Sequence, residues 1–202
     1  MSYVAIGMGG FLAAYLFDVV SLKKIPRIKG LIWITAVILV VYSTWMVCFD
    51  PKTFALPSWA SILGWVLLPT FILCFIYSLF INLPFRKTYV KSGVGSQLIK
   101  TGTYALVRHP GVLWYGVILV ALILISESQL LLIAAPIWFV MDVIHVTIQD
   151  RFLFGKMFPG YKNYRKETPM LIPNKRSIGA FIRTFNSPRA KKGVLEDMRG
   201  VK

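Results

Sequence analysis

Two short stretches hold residue types that could do chemistry in an otherwise apolar chain. In the first, TGTYALVRHPGVLWYG (residues 101–116), Arg108, His109 and Pro110 stand directly against the start of an apolar run. A proline at the first helical position loses no hydrogen bond, so Pro110 sets a helix start, and an arginine beside it suits a membrane boundary. Histidine is a poor anchor that titrates near neutrality, so His109 points to binding or proton transfer. In the second stretch, Asp142, His145 and Gln149 fall at i, i+3 and i+7 and share one face of a helix. Ionisable groups inside an apolar span are expensive and turn inward to a partner or a wet cavity. This face therefore either glues helices through an Asp–His pair or lines a site. Asp150 and Arg151 mark the exit from that run, while Asp18, near the end of the first run, reads as an interfacial residue.

The elements that must position these residues are membrane spans. The chain has 202 residues, is 56% hydrophobic and 15% charged, and has a mean hydropathy of +0.66, far from the average of a soluble domain. Three runs, from Tyr3, Leu31 and Trp59, reach the roughly 20 apolar residues of a span. Two more, from Gly111 and Leu130, are separated by Glu127, Ser128 and Gln129, a connection short enough to force an antiparallel helical hairpin. The fourth run is short for a full crossing, which calls for tilt, shielding by neighbours or a thinned bilayer. The expected fold is an all-α, polytopic transmembrane bundle of about five spans, with a cytoplasmic helical segment after the last. The first run lacks the features of a cleaved signal peptide and is expected to stay as a helix.

A formal net charge of +15 could suggest nucleic acid, but the basic residues sit in a few loops and a tail between apolar runs. Orientation and anionic lipid account for them, and no nucleic-acid module is recognisable. Lys23, Lys24, Arg27 and Lys29 follow the first run, Lys52 alone the second, Arg86, Lys87, Lys91, Lys100 and Arg108 the third, and the large basic tail the fifth. The alternation predicts an outer N-terminus and a cytoplasmic C-terminus. Cys48 and Cys74 fit no metal or redox spacing and read as small buried hydrophobes. No metal site is expected.

Three regions follow: a three-span region (1–83), a core with the polar loop, the hairpin and an aromatic segment (84–173), and a basic tail (174–202). Within the loop, Gly93, Gly95 and Gly102 allow close approach of backbone to a ligand, although a mobile linker would use glycine equally. The segment with Phe152, Phe154, Phe158, Tyr161 and Tyr164 reads as an interfacial amphipathic helix, with Lys156, Lys162, Arg165 and Lys166 facing head groups. The last stretch is polar and basic with sparse apolar residues, and is expected to be a partly ordered tail held to anionic lipid.

Taken together, LIKTGTYALVRHPGVLWYG and QDRFLFGKMFPGYKNYRKETPMLIP resemble the paired signature of the membrane-embedded isoprenylcysteine carboxyl methyltransferase and phospholipid methyltransferase group. That signature is T-G-x-Y-x-x-x-R-H-P-x-Y-x-G, then an acidic pair, an aromatic-glycine stretch, Y-x-x-Y and a closing P-x-x-I-P. The similarity covers roughly 97–173. It implies methyl transfer from S-adenosylmethionine (SAM) to a lipophilic acceptor held in the membrane. By position, the cofactor pocket would use Ser96, Gln97, Leu98, Ile99, Tyr104, His109, Pro110, Gly111, Val112 and Gln149; Arg108, His145 and Gln149 are the expected catalytic residues, with Arg108 and His109 holding cofactor polar groups, His145 orienting the acceptor or taking its proton, and Asp142 also on the acceptor side. Cofactor would enter from the cytoplasm between the 96–112 loop and the Tyr161–Tyr164 segment.

Three positions depart from the pattern: Val112 replaces a tyrosine, Gln149 a glutamate, and His145 an arginine. Arginine could grip an acceptor carboxylate through two parallel bonds, whereas histidine offers one donor or acceptor and a switchable charge. A neutral amide keeps hydrogen bonding but loses the charge that complements a sulfonium. Asp150 points about 100° away around an ideal helix and could substitute only where the helix end unwinds. Membrane reductases that use a nicotinamide cofactor carry a similar R-H-P motif and offer a rival reading. A second rival is a binding protein that kept the fold and lost catalysis.

Overall fold

The computed structural model describes residues 1–23, 26–83 and 98–185. Regular structure among them is helical apart from one bridge between Thr53 and Ser128. Five long helices make the bundle: α1 (Ser2–Leu22), α2 (Pro26–Cys48), α3 (Ser58–Ile76), α5 (Pro110–Ser126) and α6 (Gln129–Ile148). Between α3 and α5 lies the short α4 (Thr103–Leu106); after α6 come α7 (Phe154–Met157), α8 (Tyr161–Glu167) and α9 (Lys175–Phe185). Both α3 and α6 widen at their ends into π-helical turns, Tyr77–Asn82 and Gln149–Leu153.

Four helical segments are long and apolar enough to cross a membrane: Ser2–Leu22, Ile28–Cys48, Ser58–Asn82 and Gln129–Met157. The short fourth run is α5, whose 17 residues span about 25 Å. It is lodged between α3 and α6 and need not meet lipid all round. Large side chains such as Leu31, Trp45, Ile62, Trp65 and Leu73 point outward from the bundle, as they must where the solvent is hydrocarbon. The protein is a helical, multi-pass membrane protein.

Close packing between spans rests on small residues, since lipid gives apolar helices no hydrophobic reason to associate. A Cβ on Gly10 would lie 2.7 Å from Val40 Cγ2, and one on Gly64 would lie 2.9 Å from the Ala121 carbonyl oxygen. These contacts bring α1 against α2 and α3 against α5. The interior is filled by Val4, Phe11, Val47, Leu119, Leu131, Ala134, Ala135 and Trp138. Trp138 is fully buried and donates its indole N–H to the Val4 carbonyl at 3.2 Å, fixing α6 to α1.

At one end the predicted hairpin turn between α5 and α6 is held by the α2–α3 loop. Phe54 donates to the Glu127 carbonyl at 2.9 Å and Gln129 N–H to the Lys52 carbonyl at 3.0 Å. Ser128 caps α6 by accepting from Leu131 N–H and itself donates to the Val47 carbonyl. The other end carries α4, α7, α8 and α9, and all the chemistry described next.

Part of the basic tail is more ordered than its composition suggests. Asn174 and Ser177 cap α9 reciprocally: Ser177 N–H donates to Asn174 Oδ1 at 2.9 Å and Asn174 N–H to Ser177 Oγ at 3.0 Å. The sparse apolar residues then gather on one helix face. Residues 186–202 lie outside the described residues.

Candidate functional site

The approach to the site starts at Gly102, whose φ of +60° disfavours any side chain and whose Cβ would meet Asn82 Nδ2 at 2.7 Å. Asn82 holds this corner by donating to the Thr101 carbonyl and to Thr103 Oγ1, both at 3.0 Å. Beyond α4 the chain turns extended and pairs with the segment after α8. Arg108 N–H donates to the Pro169 carbonyl at 2.9 Å and His109 N–H to the Met170 carbonyl at 3.2 Å. Both side chains are thereby aimed into the bundle.

Arg108 is almost entirely occupied within the chain. Its Nε and Nη2 donate to the two oxygens of Asp150 at 2.7 and 3.0 Å, the parallel two-bond geometry that guanidinium and carboxylate share. Its Nη1 donates to the carbonyls of Arg165 and Thr168. Asp150, 2% exposed, also accepts from the Tyr161 hydroxyl at 2.5 Å and faces Arg165 Nε at 3.4 Å. Tyr164 donates to the Tyr104 carbonyl at 2.6 Å. The 98–112 stretch and α8 thus meet directly. Burial, then the bond to Asp150, raises the pKa of Tyr161, so its phenol stays a donor at neutral pH.

His109 stacks on Phe154 with ring centroids 5.7 Å apart. Its Nε2 lies 3.5 Å from Asp150 Oδ1, within electrostatic reach, yet is buried without a hydrogen bond among the described residues. Burial lowers its pKa; Asp150 opposes this in part, while the charge of Arg108 reinforces it. His109 is therefore neutral at pH 7.

A second polar group lies deeper, between α1 and α6. Asp18 Oδ2 lies 2.6 Å from His145 Nε2 and accepts from Gln149 Nε2 at 2.8 Å. The two nitrogens are 3.3 Å apart, both directed at the same oxygen. A carboxylate oxygen accepts, so Nε2 carries the hydrogen of this contact and Nδ1 is the ring nitrogen turned away from it. Tyr15 closes one side, its ring edge-on to His145 at 4.6 Å and its hydroxyl donating to the Met141 carbonyl at 2.7 Å. Asp142, half-buried one turn back along α6, stands within electrostatic reach of His145, Tyr15 and Tyr115. Among the described residues no cluster of His, Cys, Asp and Glu could hold a metal ion.

The sequence profile of a family described as Protein of unknown function (DUF1295) matches residues 24–168, most of the chain. The chain belongs to the DUF1295 family. The DUF1295 match runs from α2 through α8 and takes in Arg108, His109, His145, Gln149, Asp150, Tyr161 and Tyr164. Asp18 and α9 lie outside it. No curated protein and no solved structure matches the chain. The family description names no reaction.

Of the residues singled out in the sequence, Ser96 and Gln97 lie outside the described residues, as do Gly93 and Gly95. Leu98 and Ile99 are half-buried on the way to Gly102, and Tyr104 gives its carbonyl to Tyr164. Pro110 opens α5 as expected, Gly111 faces Leu79 of the first π turn, and Val112 is buried. His145 and Gln149 come together. Two residues differ from expectation. Asp18 is the common partner of His145 and Gln149 rather than an interfacial residue, because α1 packs on α6 and carries its carboxylate to their depth. Asp150 is buried against Arg108, because the helix widens at Gln149–Leu153 and swings it inward. Tyr161 and Tyr164 are buried within the protein. The available signal was scarcity: with eight acidic residues against 23 Lys and Arg, each carboxylate beside an apolar run demands a partner.

Proposed function

We propose that this protein is an integral membrane methyltransferase that moves a methyl group from SAM to a lipophilic carboxylate, amine or thiol at the cytoplasmic face. The observation that carries this reading is Asp18 Oδ2, shared by His145 and Gln149. The resemblance to the methyltransferase group requires a carboxylate where this chain has Gln149, and Asp18 supplies one from the neighbouring helix at hydrogen-bond distance. The charge that complements a cation is relocated rather than lost.

The donor set fits SAM in kind. His109 offers a buried Nε2 with no hydrogen bond at the lip, and Gln149, whose NH₂ is turned to Asp18, retains its amide oxygen as an acceptor. SAM supplies its methyl from a sulfonium to a nucleophile aligned behind it. Toward an amine or thiol acceptor, His145, held in one orientation by Asp18, takes the proton at Nδ1; toward a carboxylate, which has no proton to give, it orients the acceptor. Arg108, committed to Asp150, is a positioning residue that fixes the lip and seats α8 against it. The apolar bundle keeps water from the acceptor, which enters sideways from the bilayer. The positive-inside distribution of Lys and Arg supports a cytoplasmic lip and an outer N-terminus.

Calorimetric titration of the detergent-solubilised chain with SAM and separately with NADPH tests the reading. Saturable heat with SAM is expected, weakened roughly tenfold in Asp18→Asn, the worth of one charge-assisted contact. Heat with NADPH alone would assign the site to hydride transfer. Heat with neither would leave a non-catalytic binding protein.

A further inference from the structure

The cleft between α4, α8 and α9 borders the Arg108 cluster at Thr168 but shares none of its ionisable side chains; it is lined by Lys100, Ala105, Glu167, Thr168, Arg176, Ala180 and Arg183. Its volume of about 200 Å³ is ample for a tetrahedral oxyanion. Three cations face one carboxylate. Lys100 Nζ is 3.7 Å from Glu167 and also lies over the Tyr164 ring, whereas Arg176 and Arg183 make no ion pair among the described residues. Two guanidiniums that line one cleft with no carboxylate of their own leave their N–H donors free for an anion.

The cleft is built by packing and not by chance proximity of surface side chains. Gly102 N–H donates to Thr184 Oγ1 at 3.2 Å, and Phe185 lies against Tyr77 with ring centroids 6.2 Å apart. These contacts pin α9 across α4. At 100° per residue, Arg176, Ala180 and Arg183 then share one face of α9, while Ile178, Ile182 and Phe185, all exposed, share the opposite one. An interfacial helix turns its apolar face to the acyl chains, which aims the arginine face, and the cleft with it, toward water.

We propose that this cleft binds the phosphoryl group of a water-soluble ligand, with Arg176, Arg183 and Lys100 as its donors and Thr168 at the floor. SAM carries no phosphate, so the proposal stands apart from methyl transfer, and failure of either leaves the other untouched. An anionic lipid head group has the same chemistry but would have to reach the side of α9 turned from the bilayer.

The test is calorimetric titration of the full chain in nanodiscs with pyrophosphate at low ionic strength, where exposed charges are least screened. Saturable binding is expected, weakened at least tenfold in the Arg176→Gln, Arg183→Gln double variant, whose positions are exposed and make no ion pair within the described fold. Glu167→Gln, which removes the one competing carboxylate, should tighten it. Binding should persist at the same affinity whether the nanodisc lipid is zwitterionic or anionic. No saturable binding, equal binding by the double variant, or displacement of pyrophosphate by anionic lipid would each overturn the proposal.

Discussion

Arg108 enters the protein with four of its five N–H donors bonded to Asp150 and to the Arg165 and Thr168 carbonyls. Breaking such a pair leaves a buried charge unanswered, so Asp150→Asn should cost about 3–5 kcal/mol, seen as a large drop in the thermal unfolding midpoint in detergent. Arg108→Lys should also destabilise, since a single ammonium cannot reproduce the two parallel bonds. At His109 the sign of the pH effect follows from burial. The unfolded chain takes up a proton near pH 6.5 that the folded imidazole, with its lowered pKa, refuses. Its contribution is therefore fully present above about pH 6.5 and is lost as the pH falls below it. The unfolding midpoint, followed from pH 7.5 down to about 5, should fall more steeply for the parent than for His109→Asn. The Arg-His-Pro motif was legible as a boundary and as a candidate site. That Arg108 serves the protein's own carboxylate was not, because the partner lies 42 positions away on a helix whose last turn is π-helical.

Helix existence was readable from apolar run lengths, and so was the tight α5–α6 hairpin, because in hydrocarbon the backbone has no alternative to helix. Helix rotation was not readable. An ideal α-helix separates Gln149 from Asp150 by about 100°, yet the two serve adjoining groups once the turn widens at Gln149–Leu153. The same limit applied to the tail. Its apolar residues looked sparse along the chain and become a stripe only when Asn174 and Ser177 start a helix at Lys175. Between spans, the backbone approach at Gly64 gives a direct check on the packing. Its Cβ would lie 2.9 Å from the Ala121 carbonyl oxygen and 2.8 Å from Ile125 Cγ1, so Gly64→Val should push α3 from α5 and cost about 1–3 kcal/mol. Gly9→Val, where nothing lies within 4 Å of the added carbon, is the matched control and should lower the unfolding midpoint less than Gly64→Val.

At the scale of the molecule, the polar clusters found among the described residues lie at one end of an apolar bundle, and the opposite end is closed by backbone bonds between the α2–α3 loop and the hairpin turn. The confinement was visible in the sequence as the alternation of Lys and Arg between loops. The pairing of α1 with α6 that delivers Asp18 was not, since contacts between spans leave no periodic trace when both helices are apolar on nearly every face. The proposed function depends on that pairing, which holds an imidazole in one orientation against a carboxylate, beside a lip clamped by Arg108 and Asp150. The direct measurement is transfer of isotopically labelled methyl from SAM into organic-extractable product, using purified protein reconstituted with total membrane lipid. The account predicts label in a lipophilic species with the parent and a loss of at least about a hundredfold in His145→Ala, the scale of a general base. No label with the folded parent, or equal label with His145→Ala, would contradict it.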